Sequence, residues 1–266
     1  MTKPPVIELI REDDWLTIWL NRPENRNALS SEMTGALLDT FQDLATDQSI
    51  RGVTIRGKGG TFCAGGDLKE FIGSVEGGQT LEEAKVKSRH AGELFSAVHI
   101  LPQVVVVLIE GAAMAGGLGM ACAADIVAGT KSAKFALTET MIGLPPAQIA
   151  PYVVRRTGSA IARRIMLTGM RFDGSQALEF GLLDYVCENA AELSAFETEL
   201  RRGVISCAPH ANTATKEILR AVDYMNSEDL IDFAAEKFAA CLLSTEARDG
   251  IVSFIEKRRP YWARSS

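Results

Sequence analysis

Apolar and polar residues follow a strand-and-turn pattern at the start of the chain. Two apolar runs, Val6–Ile10 and Trp15–Leu20, lie on either side of a short polar turn and predict two paired strands. The apolar residues from Met33 onwards recur at helical spacing, and Ser30 or Ser31 can cap the helix that they predict. The chain therefore begins with strands and continues into an amphipathic helix.

Two later apolar runs each lead into a glycine-containing segment. Gly52–Ile55 is followed by Phe62–Asp67, and Val104–Ile109 is followed by Ala115–Met120. Both pairs predict a strand, a turn and then a helix. Glycine allows close approach of the backbone to a ligand and exposes peptide N–H groups at the start of a helix. Two such turns, brought together, direct two N–H donors at one oxygen, which is the arrangement of an oxyanion hole.

The pattern after about residue 158 is helical. Before it, we expect a mobile loop over Gly73–Thr80, a charged helix from Leu81 to about His99, and short strands at Ile126–Ala128 and Lys134–Leu137. The amphipathic segments in the last part are Asn189–Cys207, Pro209–Tyr224, Ser227–Leu243 and Thr245–Lys257. This order predicts an α/β fold with a helical C-terminal extension.

Composition and charge argue against several classes of function. The 266 residues suffice for one large domain, and 47% hydrophobic with 23% charged residues is ordinary for a globular protein. The net charge of −6, without a Lys/Arg block, argues against a nucleic-acid partner. The five cysteines form no CxxC pair, which indicates a reducing compartment, no disulfides and no metal site. We expect a soluble cytoplasmic protein with no membrane partner, because no apolar stretch has membrane-spanning length and the N-terminus lacks a signal-peptide pattern.

Glu139 is the leading candidate for chemistry when the residues are considered alone. It lies in an otherwise apolar and hydroxylic stretch, Phe135–Thr140. Reduced solvation in such a stretch raises the pKa of a carboxyl group toward the range that suits proton transfer. An ordinary exposed glutamate is the alternative. The three histidines are isolated and fit helix surfaces, and Asp67 fits a helix cap.

The second glycine segment has a rival interpretation as a dinucleotide-binding turn. Gly117 and Gly119 form a GxG motif after a strand, with Glu139 about twenty residues further on. Cys122 stands where the third glycine of that motif belongs, and the connection from Ile109 is too long for a tight turn. This alternative predicts NAD(P) binding.

Taken together, these landmarks resemble those of the crotonase family, also called the enoyl-CoA hydratase/isomerase superfamily. The matching segments run in order along nearly the whole chain: Asn21–Leu29, Phe62–Asp67, Ala115–Asp125, Phe135–Gly143, Leu167–Gly169, Ala177–Leu182 and Phe254–Pro260. The resemblance implies a crotonase-like α/β spiral core of repeated ββα turns, here residues 1–200. It also implies a helical C-terminal region, residues 201–266, that drives formation of homo-trimers, which often pair into hexamers. The substrate is an acyl-CoA thioester, and no cofactor beyond its coenzyme A is implied.

The resemblance also assigns roles to individual residues. The thioester carbonyl would lie between the backbone N–H groups of Gly66 and Gly116, in agreement with the argument from the glycine turns. Glu139 would be the catalytic acid and base. The residues at positions where the family binds CoA or substrate are Arg26, Ala64, Gly66, Asp67, Leu68, Gly116, Phe254 and Lys257. The last two belong to a C-terminal helix that covers CoA, sometimes from a neighbouring subunit.

One position departs from the pattern of the best-known hydratases, which carry a second glutamate six residues before Asp125. This chain has Gly119 there. Single-glutamate members include the Δ3,Δ2-enoyl-CoA isomerases, which Thr138–Gly143 resembles. Leu144–Pro151 and Arg258–Trp262 more closely resemble a bacterial subgroup, the isohexenylglutaconyl-CoA hydratases of acyclic terpene breakdown.

The first hypothesis is therefore a hydratase that adds water to a branched glutaconyl-type 2-enoyl-CoA. The alternatives are a Δ3,Δ2-enoyl-CoA isomerase that uses the same groups, a non-catalytic acyl-CoA binder, and the NAD(P)-dependent oxidoreductase. A distal carboxylate on the substrate would favour a cation as its partner. Lys85, Lys87 and Arg89 are candidates, with a solvated helix face as the alternative.

Overall fold

A six-stranded sheet forms the centre of the computed structural model, which describes residues 4–263. Its strands, in spatial order, are β1 (Ile7–Glu12), β2 (Trp15–Leu20), β3 (Gly52–Gly57), β4 (Val104–Ile109), β6 (Ile126–Thr130) and β9 (Tyr185–Cys187). β1 and β2 are antiparallel, and all the other neighbouring strands are parallel. Parallel neighbours require crossover connections, and the helices between these strands provide them.

A three-stranded sheet carries the segments that lead to the candidate site. Its strands are β5 (Ala112–Met114), β7 (Lys134–Ala136) and β8 (Arg171–Asp173), with β7 in the middle. β5 and β7 are parallel. Just beyond them, the Ala115 N–H donates to the Ala136 carbonyl over 2.9 Å. The chain segments that follow β5 and β7 therefore leave the sheet side by side.

Ten α-helices lie within residues 4–263. They are α1 (Ser31–Thr46), α2 (Leu68–Glu76), α3 (Leu81–Ile100), α4 (Gly116–Ala123), α5 (Ala150–Thr168), α6 (Gly174–Glu179), α7 (Ala190–Ser206), α8 (Pro209–Ala221), α9 (Ser227–Leu242) and α10 (Thr245–Glu256). Two short 3-10 helices span Pro23–Asn25 and Glu139–Ile142. The expected boundary between the spiral core, residues 1–200, and the C-terminal helical region, residues 201–266, falls inside α7. The division of the chain into these two regions stays a prediction.

The loop predicted over Gly73–Thr80 is wrong in its first half, because α2 continues to Glu76. The Asp67 side chain caps α2 by accepting a hydrogen bond from the Lys69 N–H over 3.0 Å, as predicted for a helix cap. Apolar residues follow at helical spacing between Leu68 and Val75. The Asp67 cap and this helical spacing favour a helix over the loop that the glycines indicate.

The two faces of the large sheet pack against different sets of helices. On β4, Val105, Val107 and Ile109 belong to the main core. That core also contains side chains from α1, α3, α4 and α5, and it lies on the side of the glycine turns. The alternate residues Val106 and Leu108 pack toward α7. This period of two is the one expected of a strand that is buried on both faces.

The C-terminal helices carry many apolar side chains on their surface. Those that are at least two-thirds exposed include Tyr224, Ile231, Phe238, Leu243, Phe254 and Ile255. All residues of α9 are at least partly exposed. Within residues 4–263, no helix combines the length and the apolar character needed to cross a membrane.

Candidate active site

The first glycine turn presents the N–H group of Gly66. Leu29 pairs with it as a short parallel bridge: the Leu29 N–H donates to the Gly65 carbonyl over 2.7 Å, and the Asp67 N–H donates to the Leu29 carbonyl over 3.2 Å. Because N–H groups alternate in direction along an extended segment, the Gly66 N–H points away from Leu29. Gly65 has a φ of +92°, and its N–H contacts the Cys63 Sγ at 3.4 Å. Hydrogen bonds to Leu29 on one side and the contact with Cys63 on the other thus fix the turn.

The second glycine turn presents the N–H group of Gly116 at the start of α4. Ala115, just before it, has a φ of +48°, which is rare for a residue with a side chain. Backbone strain of this kind costs about 1–3 kcal/mol and is concentrated at functional sites. The Ala115 carbonyl accepts from the Gly119 N–H over 3.0 Å, as the first hydrogen bond of the helix. The Gly116 N–H, in the first turn, has no partner within the helix.

The structure brings these two turns together. A Cβ atom added to Gly65 would lie 3.5 Å from the Gly116 nitrogen, and one added to Gly116 would lie 3.9 Å from the Gly66 nitrogen. The same position on Gly116 is 3.1 Å from Leu29 Cδ1 and 3.7 Å from Phe95 Cζ. Two neighbouring backbone N–H donors beside apolar side chains can stabilise negative charge on a single oxygen.

Glu139 begins the 3-10 helix that follows β7, on the segment that runs beside the second glycine turn. Its Oε2 atom is buried and has no hydrogen-bond partner among residues 4–263. Burial raises the pKa of the Glu139 carboxyl above its ordinary value of 4.5, and a hydrogen bond from its own backbone opposes this rise. A buried carboxyl group with a raised pKa is suited to exchange a proton with a bound molecule.

Gly119 faces the segment that leads into α5. A Cβ atom on Gly119 would lie 2.1 Å from Cγ2 of Ile149, which is buried. The position at which the best-known hydratases carry their second glutamate is therefore occupied by an isoleucine side chain from another part of the chain.

Phe71 of α2 covers the first glycine turn. A Cβ atom on Gly66 would lie 2.8 Å from the Phe71 ring, which is 47% exposed. Leu68, one turn earlier, is 57% exposed. These two side chains place exposed apolar surface beside the first glycine turn. Sequence reasoning assigned no role to Phe71, since only its helical spacing from Leu68 distinguishes it from other surface residues.

The residues predicted to bind CoA fall on two parts of the structure. The Arg26 carbonyl accepts from the Ala64 N–H over 3.0 Å, which holds these two residues next to the first glycine turn. Phe254 and Lys257 instead lie at the end of α10, which packs against α9, and Phe254 is 86% exposed. The structure thus groups Arg26, Ala64 and the glycine turns, and places the last two residues on a separate surface.

The basic side chains of α3 lie on an exposed helix face. Lys85 pairs with Glu82 over 2.7 Å, and Lys87 donates to Ser74 of α2 over 3.0 Å. Lys85, Lys87 and Arg89 are all exposed. These positions fit the alternative of a solvated helix face.

A family model described as "Enoyl-CoA hydratase/isomerase" matches residues 12–265, which is nearly the whole chain. The chain belongs to the enoyl-CoA hydratase/isomerase family. Members of this family act on acyl-CoA substrates. The crotonase-like fold predicted from the sequence is confirmed, and the dinucleotide-binding interpretation of Gly117 and Gly119 is incompatible with it.

Solved structures of this family closely match the fold. AtuE of Pseudomonas aeruginosa is 39% identical, with a TM-score of 0.94 over 97% of this chain and 100% of that one. An enoyl-CoA hydratase/isomerase from Marinobacter aquaeolei is 38% identical, with a TM-score of 0.93 over 97% and 99% of the two chains. Enoyl-CoA hydratase ACTT6 of Alternaria alternata is 29% identical over 248 residues, which are 93% of this chain and 80% of that protein. These similarities support an enzyme of the hydratase type.

Proposed function

We propose that the protein is a hydratase that adds water to a branched glutaconyl-type 2-enoyl-CoA, such as isohexenylglutaconyl-CoA, with Glu139 as its one catalytic carboxylate. The buried Oε2 atom of Glu139, without a hydrogen-bond partner in the described part of the chain, carries this proposal. Family membership and relatives named as hydratases support the hydration of an enoyl-CoA. The resemblance of Leu144–Pro151 and Arg258–Trp262 to one hydratase subgroup supports the substrate class.

In this proposal the two glycine turns form the oxyanion hole. The N–H groups of Gly66 and Gly116 donate to the thioester oxygen. When the water oxygen bonds to C3, the electron pair of the C2–C3 double bond shifts toward C1, and negative charge develops on the thioester oxygen. The product of this step is an enolate. Backbone donors that are already in place stabilise this charge without reorganisation.

Glu139 carries out both proton transfers. Its carboxylate accepts a proton from water as the oxygen bonds to C3, and the resulting carboxylic acid returns a proton to C2 of the enolate. The hydroxyl group and the hydrogen of one water molecule are thus both in the product, and the carboxylate is regenerated. A raised pKa suits a group that must act first as a base and then as an acid.

The rest of the proposed machinery binds coenzyme A. Arg26, Ala64, Asp67 and Leu68 hold the CoA and the start of the acyl group. Phe254 and Lys257 cover CoA from α10, in a trimer or hexamer whose contacts bury the apolar side chains of the C-terminal helices. The reaction needs no cofactor besides the CoA of the substrate, and we place the enzyme in the cytoplasm.

Product analysis tests the proposal. The enzyme is given 2-enoyl and 3-enoyl thioesters, each with and without a distal carboxylate, and the products are identified by mass spectrometry and NMR. A hydrated product from a branched glutaconyl-CoA that disappears in Glu139→Gln supports it. Double-bond migration without water uptake would instead identify an isomerase, which a single catalytic carboxylate also permits. Tight binding of every thioester with no turnover would identify an acyl-CoA binder.

A further inference from the structure

Gln148 and Ser88 form a polar pair between α3 and the segment that leads into α5. The Gln148 Nε2 atom donates to the Ser88 Oγ atom over 3.1 Å, and both residues are half-buried. The Gln148 side chain lies flat against α3 at Gly92, where a Cβ atom would be 2.4 Å from its Oε1 atom. A side chain at residue 92 would therefore displace the carboxamide.

This pair lies on the same helix face as a residue that borders the glycine turns. Ser88, Gly92 and Phe95 are spaced by four and three residues, so they share one face of α3. Phe95 reaches to 3.7 Å from the Cβ position of Gly116. Ile149, next to Gln148 in the chain, packs on Gly119 in the following turn of α4. The Gln148 carboxamide and the Gly116 turn therefore lie against the same face of α3.

The separation along α3 corresponds to the length of a short acyl chain. Gly92 lies three residues before Phe95, which is about 4.5 Å along the helix axis, and Ser88 lies about 6 Å further. An extended chain of five carbons, with bonds of about 1.5 Å, spans about 5 Å from its first to its last carbon. An acyl group that starts near Gly116 and runs along this face of α3 comes level with Gly92, and so with the Gln148 carboxamide, at its fifth carbon.

The pair has donors to offer to such a group. A serine hydroxyl that accepts one hydrogen bond still has its own proton to donate, and a carboxamide has a second N–H. Hydrogen bonds from neutral donors to an ionised carboxylate are shorter and stronger than those between neutral groups. In the free enzyme, one hydrogen bond joins the two side chains and leaves these two donors for a ligand.

We propose that Gln148 and Ser88 bind the distal carboxylate of the acyl group and so select dicarboxylic acyl-CoA thioesters. The inference rests on the proposed function for the presence of an acyl-CoA thioester at the glycine turns. When the substrate enters, the bond between the two side chains opens, and each donates to one carboxylate oxygen. In this proposal, neutral donors bind the distal carboxylate. The sequence alone had suggested the cations Lys85, Lys87 and Arg89 for this role.

Binding of two saturated thioesters of equal chain length tests this site. Glutaryl-CoA and valeryl-CoA differ in having a carboxylate or a methyl group at the fifth carbon, and isothermal titration gives a Kd for each. Gln148→Leu and Ser88→Ala should each weaken glutaryl-CoA binding by about 10–100-fold, since loss of a hydrogen bond to a charged group has this magnitude. Valeryl-CoA binding should change by less than about twofold, because its terminal methyl group makes no hydrogen bond with either side chain. Substitutions that remove no specific interaction usually have effects of this size.

Gln42→Leu is the matched control, because it makes the same chemical change on the exposed surface of α1. It should leave both Kd values unchanged. If Gln148→Leu and Ser88→Ala weaken the two thioesters equally, or leave glutaryl-CoA binding unchanged, the pair only joins α3 to α5 and the inference is wrong. Ser88→Ala removes a single oxygen and decides the matter if Gln148→Leu fails to fold.

The same measurements separate this inference from the proposed hydratase activity, because saturated thioesters bind without being hydrated. Carboxylate-selective binding that depends on Gln148, in a protein that hydrates no enoyl-CoA, would overturn the proposed function and support this site. Hydration of a branched glutaconyl-CoA with no effect of Gln148→Leu on glutaryl-CoA binding would overturn this site alone.

Discussion

Ile149 occupies the space into which a side chain at residue 119 would extend. A Cβ atom on Gly119 would lie 2.1 Å from Cγ2 and 2.6 Å from Cβ of Ile149. Heavy atoms cannot approach so closely, because the favourable separation of carbon atoms is about 3.5–4.0 Å. The absence of a second glutamate and the position of Ile149 are thus one structural feature, because Ile149 fills the space into which that glutamate would extend.

This relationship predicts strong coupling between substitutions at the two positions. Gly119→Glu alone should lower the melting temperature and the activity, because the longer side chain overlaps Ile149 in a close-packed interior. Ile149→Gly, which also removes the Cβ atom, should relieve the overlap. A double-mutant cycle from urea unfolding should give a coupling energy of about 1–3 kcal/mol in favour of the pair. Additive losses of stability would contradict the contact.

Glu139→Gln should abolish turnover while CoA thioester binding remains. The variant keeps the size of the side chain and removes its ability to accept a proton, so the rate should fall by about 10²–10⁴-fold. Steady-state kinetics with a branched enoyl-CoA and titration with a saturated thioester measure the two effects. Glu179→Gln, an exposed glutamate on α6, is the control. Retention of most activity by Glu139→Gln toward every thioester would rule out its proposed role.

The raised pKa of Glu139 predicts a pH-dependent difference in stability. The folded protein holds this proton at pH values where the unfolded chain has released it, so the stabilisation is present below pH 4.5 and is lost as the pH rises through the raised pKa. Glu139→Gln does not titrate at this position. The free energy of unfolding of the variant minus that of the wild type should therefore increase with pH across this window. A constant difference, measured by urea unfolding at several pH values, would contradict the raised pKa.

Substitution of Gly116 should impair the oxyanion site with little effect on the rest of the protein. Gly116→Val adds atoms that overlap Leu29 and approach the Gly66 nitrogen. Loss of one oxyanion donor costs about 10²–10³ in kcat. Gly35→Val is the matched control, because a side chain at that helical position meets no atom within 4 Å. A folded Gly116→Val protein with the kcat of Gly35→Val would remove this turn from the mechanism.

The exposed apolar residues of the C-terminal helices predict self-association. Phe238→Glu and Leu243→Glu replace side chains that are 67% and 86% exposed in the single chain. A charge buried without a partner opposes association, so sedimentation should show smaller species than the trimer or hexamer that we expect of the wild type. Glu228→Gln, on the exposed first turn of α9, is the control. A monomeric wild-type protein would contradict this prediction.

The order of secondary-structure elements and the two glycine turns could be predicted from the sequence by itself, because both depend on local pattern. Strands β2 and β4 coincide with their apolar runs, and α1 begins at its predicted cap, Ser30. Gly66 and Gly116 were identified because strand, turn and helix follow one another in the chain. The proposed role of Glu139 likewise comes from its local apolar surroundings together with family resemblance.

Only the tertiary structure decided which residues from distant parts of the chain meet. Ile149 and Gly119 are thirty residues apart in the sequence, and Gln148 and Ser88 are sixty apart. The packing of α3, α4 and α5 on one face of the sheet brings these pairs into contact. No periodicity or capping signal marks them, because a pattern along the chain records local conformation and burial, whereas complementarity between facing surfaces depends on how whole elements pack.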